Sequence, residues 1–262
     1  MGSREHVSFL AGSDNRVRIL ETLRENPARQ CELIRDCGLS RSTVHRALSG
    51  LTAREWVRRE NGTYHLTPGG SFVLDRYEAL ETTIDRVAKW GPFLNRLGAI
   101  ADSFPLSALD DATLLTVSPA NPHAALSRFA NAFAAEDIER FYGITPVVSP
   151  VINDAAAELL TDGIEMELLV DDSVLDTSRA SYADALDDAY SSENFALFRY
   201  PDDLDFGIAV FDDRVIVSAY DDRGVLRECL DSTDDALGEW AREVYDDYRA
   251  SASRVDVAAP TE

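Results

Sequence analysis

Lysine is almost missing from this chain: Lys89 is the only one among 262 residues. Cysteine is scarce as well. Cys31, Cys37 and Cys229 include no C-x2-C pair, which argues against both a disulfide framework and a zinc ribbon. Buried apolar cysteines fit that count better than a redox switch. No segment approaches the ~18–20 continuous apolar residues of a membrane helix. The N-terminal stretch lacks the apolar run of an export signal, so a cytoplasmic location without membrane contact is expected.

Catalytic signatures are missing too. None of His6, His45, His65 and His123 is followed two residues later by lysine, which excludes a His-x-Lys phosphodiester site. No G-x-S-x-G elbow occurs, and Gly69-Gly70 has neither the lysine nor the spacing of a phosphate loop. The many Asp pairs, such as Asp171-Asp172 and Asp212-Asp213, form no D-x-D-x-D-G calcium loop. The expectation is a non-enzyme without cofactor or metal.

What is abundant is acid, and it is unevenly placed. The formal net charge is −22. Residues 1–76 hold twelve arginines against nine acidic residues, a balance of +3, and the remainder carries −25. A basic segment on an acidic chain is the electrostatic footprint of nucleic-acid binding. Elsewhere, aspartate in excess with almost no lysine resembles the proteins of salt-accumulating halophilic archaea. At molar salt a Debye length of ~3 Å screens such carboxylates from one another.

The basic segment has an order of its own. Asp14 to Glu25 reads as a helix capped at Ser13 or Asp14, with Val17, Leu20 and Leu23 inward and Ile19 near them. Leu33, Ile34 and Cys37 give a second, short helix, and Gly38 supplies the turn. Ser40 is placed to cap a third helix through the Thr43 N–H. Val44, Leu48 and Leu51 form its buried stripe. Arg41, Ser42, His45, Arg46 and Ser49 face outward, donors and acceptors suited to a major groove. Trp56 to Arg59 and Thr63 to Leu66 are strand-like, Glu60-Asn61-Gly62 joins them, and Asn61-Gly62 favours a type I′ hairpin turn.

Residues 8–70 therefore resemble a winged-helix domain of archaeal and bacterial regulators. The resemblance implies that Ser40 to Arg54 is the recognition helix and Arg58 to Leu66 the wing. Double-stranded DNA would be the partner, touched by Ser40, Arg41, Ser42, Thr43, His45, Arg46, Arg58, Arg59 and Asn61. A winged helix used to dock protein, in an adaptor, is the alternative.

The expected organisation is a DNA-binding domain at 1–70, linker helices at 71–105, an α/β effector domain at 106–252 and a disordered tail at 253–262. The fold class is α/β overall. The linker helix should run from Ser71 to about Trp90 and stop at Gly91-Pro92, with a shorter helix after it. Val73, Tyr77, Leu80, Ile84 and Val87 follow a heptad-like spacing and are the candidate homodimer seam. Beyond residue 106 the expected strands are 113–117, 164–170, 195–199, 206–211 and 215–220, with an extended run at 145–152. Helices are expected at 122–136, 154–160, 174–190 and 234–250, with a break near Thr177-Ser178 as the alternative for the third.

This second part resembles the effector domain of archaeal regulators of the methanogenesis and filamentation type. The resemblance rests on Thr145-Pro146-Val147-Val148, Asp162 to Leu168, Asp205 to Val210 and Glu239-Trp240-Ala241. It implies a phospholipase-D-like half domain without the catalytic motif. The effector is unknown from sequence. A small-molecule pocket is expected near strand ends, at 118–123, 145–153 and 170–173, with Tyr200 and Tyr220 as candidate walls.

Overall fold

The structure is a computed structural model that describes residues 2–118, 120–121, 123–133 and 138–255. The chain divides into two compact units, Met1–Asp85 and Arg86–Glu262.

In the first unit the order is α1 (Ser3–Ala11), α2 (Asp14–Glu25), β1 (Ala28–Arg29), α3 (Gln30–Asp36), α4 (Arg41–Thr52), β2 (Val57–Glu60), β3 (Thr63–Leu66) and the start of α5 (Pro68–Leu94). The α2 and β3 expectations match these bounds, α4 lies within the expected 40–54, and β2 is shifted by one residue because Glu60 pairs with Thr63. Ile19 and Leu20 of α2 are fully buried, as are Leu33, Val44 and Leu51, so the three short helices share one core. Helices this short are marginal alone and depend on that common packing. Gly38 ends α3 at φ +65°. Cys37 is buried, but Cys31 is exposed, which corrects its reading as a core residue.

Two elements of this unit are additional to the expected set. The two-residue β1 pairs with β3 and widens the hairpin to three strands, in the order β1-β3-β2. Helix α1 buries Leu10 and sets Phe9 and His6 against Trp56.

Helix α5 is longer than its residues suggested. It begins at Pro68 rather than Ser71, because the Thr67 hydroxyl accepts the Gly70 N–H at 3.0 Å and proline suits the first helical turn. It continues through Gly91 and Pro92 to Leu94, so the expected stop fails. An interior proline costs about 3 kcal/mol. Trp90 (2 % exposed) and Phe93 (0 %) offset this by burial, worth about 1.5–3 kcal/mol for each large apolar side chain. In place of a separate 71–105 linker, Leu74 lies in the first core, while Trp90, Phe93, Leu97 and Ile100 lie in the second.

The second unit continues with β4 (Thr113–Thr116), α6 (Ala124–Phe133), β5 (Arg140–Thr145), α7 (Pro150–Thr161), β6 (Glu165–Val170), α8 (Asp172–Ser181) and α9 (Ala183–Tyr190). It then runs through β7 (Phe195–Arg199), β8 (Phe206–Phe211), β9 (Arg214–Tyr220), β10 (Leu226–Ser232), α10 (Asp235–Ser251) and β11 (Ser253–Arg254). One eight-stranded sheet results, in the order β11-β7-β6-β5-β8-β9-β10-β4. Strands β5, β6 and β7 are mutually parallel, and the remaining pairs are antiparallel.

Both faces of the sheet are covered. On one, Ile208, Val217 and Leu230 pack under Trp240 and Ala241 of α10 and the residues that follow α5. On the other, Phe141, Met166 and Ala209 pack under α6, α7 and α8. Strands buried on both faces read as unbroken apolar runs, and β8, Phe-Gly-Ile-Ala-Val-Phe, is buried throughout.

Three expectations are corrected here. The extended stretch begins earlier, as β5 at Arg140–Thr145, and Pro150 opens α7 instead of extending a strand. The 174–190 helix is two helices, and the break falls at Tyr182 rather than near Thr177-Ser178. The tail is ordered at its start, since Ser253 and Arg254 pair with Arg199 and Phe198. Residues 256–262 of that tail, and 122 and 134–136 of the expected helix, lie outside the described residues.

Candidate nucleic-acid interface

Helix α4 is built so that one face is spent on the core and the other left open. Val44, Ala47, Leu48 and Leu51 are buried, and Arg41, Ser42, His45, Arg46 and Ser49 are exposed. At its start the Ser40 Oγ accepts the Thr43 N–H at 3.2 Å, the cap read from the sequence. Ser40 Oγ also lies 3.0 Å from Ser42 Oγ and 2.9 Å from Thr43 Oγ1. Thr43 is half-buried and tied into this cap, so it shapes the helix start rather than reaching outward. No acidic residue sits in the first turn, which leaves the positive end of the helix dipole available to an anion. Arg46 donates from Nε to the Ser42 carbonyl at 3.3 Å and so lies along the exposed face.

In the wing, Asn61 (φ +49°) and Gly62 (φ +85°) make the tight turn. Strand registry places Arg58 opposite His65, and Arg59 opposite Tyr64. Side chains alternate along a strand, so the two arginines face opposite ways. Arg59 shares a side with Val57 and Tyr64, which pack on the core. Arg58 shares the outward side with His65 and is ion-paired to Glu60. The sequence treated Arg58 and Arg59 alike and passed over His65. Strand alternation counted from the buried Val57 would have separated them.

Several other arginines of this unit have structural partners. Arg24 forms a two-point pair with Glu78 at 2.8 Å, Arg18 donates to the Cys37 carbonyl at 3.2 Å, and Arg16 and Arg54 lie over the Phe9 ring. Counted to Asp85, the unit is neutral, because Glu78, Glu81 and Asp85 on α5 balance the +3 of residues 1–76. Within that neutral unit, α4 itself carries two arginines and no carboxylate.

The expected dimer-seam residues stand as follows. Val73 and Tyr77 are half-buried against the first core. Leu80 is 49 % exposed, Ile84 57 % and Val87 46 %. Phe72 on the same helix is also exposed, at 72 %.

In the second unit, a cavity of about 470 Å3 opens between α7, α8 and α9 and the parallel strands. Thr145, Asn153, Val170 and Tyr220, from the regions expected to frame a pocket, line it. Tyr200 does not; it stacks on Tyr248 in the core of the opposite sheet face. Residues 119 and 122 of the expected 118–123 edge lie outside the described residues, and 118–123 does not line the cavity among those described. Among the described residues no His, Cys, Asp and Glu group could hold a metal ion, and no helix is long and apolar enough to cross a membrane.

Two family matches cover most of the chain. Residues 4–89 match the HVO_A0261 N-terminal domain. Residues 122–251 match the middle domain of the methanogenesis regulatory protein FilR1. No curated protein sequence matches the chain. Among solved structures, the archaeal chromatin protein TrmBL2 is 12 % identical, with 92 % of this chain and 94 % of that one covered, at a TM-score of 0.42. The phospholipase D family member Nuc from Salmonella typhimurium is 14 % identical, with 55 % and 99 % covered, at a TM-score of 0.44. An IclR homologue from Microbacterium is 16 % identical, with 93 % and 99 % covered, at a TM-score of 0.27. With a winged helix in the first unit, and the two family matches falling in order along the chain, it is a transcriptional regulator whose residues 122–251 are similar to the middle domain of the methanogenesis regulatory protein.

Proposed function

We propose that this regulator reads double-stranded DNA with α4 in the major groove and the wing on the adjacent backbone, as a homodimer. The observation that carries the reading is the division of α4 into a fully buried stripe and an exposed face of Arg41, Ser42, His45, Arg46 and Ser49. Arg41 and Arg46 have the reach for guanine edges, and Ser40 and Ser42 at the helix start suit a phosphate. Arg58, His65 and Asn61 are placed for backbone contact, which positions without specifying.

Homodimerisation is supported by the bare apolar residues Leu80, Ile84 and Val87 on α5. Operator-binding proteins commonly pair through a two-fold axis. The second unit then senses a signal or holds two copies together. The acidic surface elsewhere suits a cytoplasm of high salt, where phosphate contacts weaken and base contacts must carry more of the affinity.

The test is selection from a randomised duplex pool by the purified chain in molar KCl, with binding measured on the enriched sequence. Enrichment of a two-fold symmetric site is expected. A chain that enriches nothing, yet retains proteins through α4, would replace this reading with the adaptor.

A further inference from the structure

The cavity of the second unit has a floor of unusual make-up. Gly143 and Thr145 of β5, Leu168 of β6, and Gly207 of β8 form it, with Tyr220 of β9 at one side. Gly207 brings the backbone close to that side: a Cβ would stand 3.3 Å from the Tyr220 hydroxyl and 3.2 Å from the Ser218 Cβ. The floor is close-packed at both glycines, against the Phe141 ring at Gly143 and the Tyr220 hydroxyl at Gly207, and that hydroxyl is part of the cavity lining. Tyr220 is 9 % exposed. Its hydroxyl lies near Ser218 and Thr145, and burial pushes its pKa up, so it stays a neutral donor. The volume of about 470 Å3 is that of an ordinary small-molecule site.

The charges around it decide what can enter. Among the described residues that line the cavity there is no arginine, lysine or histidine. The carboxylates in the lining are Asp154 and Asp188, both exposed at its rim. A carboxylate or phosphate placed inside would lose its hydration and gain no cation, a cost that salt does not screen. Phe133, Ile152, Val174 and Leu186 supply apolar walls, and Ser149, Asn153, Ser178 and Ser192 add polar groups that carry no charge.

We propose that this cavity binds a neutral, largely apolar small molecule with one hydroxyl or carbonyl group, held at the Tyr220 hydroxyl, and rejects anions of the same size. The proposal rests on the second unit being the signal-sensing part of the regulator.

The neutral fluorescent probe N-phenyl-1-naphthylamine tests it on the full chain, with 1-decanol and decanoate as competitors at about pH 8, where the acid is ionised. Saturable binding at one probe per chain is expected. Decanol should displace the probe, and decanoate should need at least about tenfold more. Ala156→Phe, which fills the cavity from α7, should weaken probe binding about tenfold with unchanged circular dichroism. Ala189→Phe fills it from α9 and serves if the first variant melts early. Tyr220→Phe should leave the probe bound but weaken decanol. Equal displacement by decanoate overturns the ligand class. No probe binding, or binding that both filled variants retain, overturns the site. DNA affinity of the same samples is read separately: a chain that binds its operator but no probe loses only this proposal, and one that binds probe but no DNA loses the regulator reading instead.

Discussion

Arg59 of β2 lies over the ring of Tyr64 on β3, its guanidinium carbon 5.5 Å from the ring centroid. Its neighbour Arg58 points to the other side of the wing, with His65 opposite it. Two consecutive exposed arginines therefore have different neighbours, Arg59 the Tyr64 ring and Arg58 Glu60 and His65 on the other side. Cation–π contacts at exposed sites are worth about 0.5–1 kcal/mol, so Arg59 contributes modestly to wing stability.

For DNA binding, three alanine variants should separate. Arg46→Ala should cost about 1–3 kcal/mol on the preferred operator and little on random duplex, if Arg46 reads a guanine edge. Arg58→Ala should weaken both duplexes alike. Arg59→Ala should do less to either and lower the melting temperature slightly. Fluorescence anisotropy on the two duplexes checks all three, and identical losses for Arg58 and Arg59 would contradict the strand alternation.

Salt dependence should be shallow for a DNA-binding protein. Where only the four arginines of α4 and the wing reach phosphates, few phosphates are neutralised. Each contributes about −0.9 to the slope of log K against log salt, so a slope no steeper than about −4 per bound winged helix is expected. A titration from low to molar KCl measures it, and a much steeper slope would mean that other arginines also touch the backbone.

The exposed residues of α5 make a prediction about assembly. Leu80→Asp with Ile84→Asp puts carboxylates where a homodimer seam would bury them, and burial of an unpaired charge is costly. Light scattering should show dimer for the parent and monomer for the variant. Both positions are about half exposed in the single chain, so the variant should keep its fold. A monomeric parent would exclude the seam.

Asp231 lies on β10 with a side chain only 3 % exposed, hydrogen-bonded by Arg214 at 2.8 Å and also by Arg128. Burial pushes its carboxyl upward, but the two guanidinium groups outweigh that and hold it below the usual carboxylate range. A depressed folded value stabilises the protein above the unfolded pKa of about 3.9, and the gain is lost as pH falls through the folded value. Asp231→Asn should cost about 2–3 kcal/mol at neutral pH, toward the low end for a broken buried pair because both arginines keep some water. It should also flatten the acid limb of the stability curve. Denaturant melts at neutral and acid pH measure both effects.

The winged helix was legible because each of its signals is local. Ser40 caps its own helix, Gly38 turns its own chain, and Asn61-Gly62 shapes its own hairpin. Strand β10 was not, since Arg227, Glu228 and Asp231 interrupt its apolar residues. Those charges are tolerated in a sheet because Asp221, Arg96 and the Arg128–Arg214 pair meet them from distant positions. Strand β5 was hidden by Gly143, whose lack of a side chain makes sense only beside the Ile208 carbonyl it approaches. The cavity was half legible. Thr145 and Tyr220 were placed near strand ends, but Tyr200 went to the opposite face because the β7 partner that fixes its side lies elsewhere in sequence.

The short strand β11 gives the sheet a border. An open eight-stranded sheet has two edges, and each exposed edge is a template on which another chain can pair. Here β11 offers two residues and β4 four, both shorter than the inner strands they cover. Arg254 puts a charge at the β11 side. Without them, β7 and β10 would present five and seven residues of backbone to a neighbouring molecule. The few residues after α10 therefore act against fibre growth as much as for stability. A chain ending at Ser251 should keep its helices yet aggregate with time, visible as rising light scattering and thioflavin fluorescence.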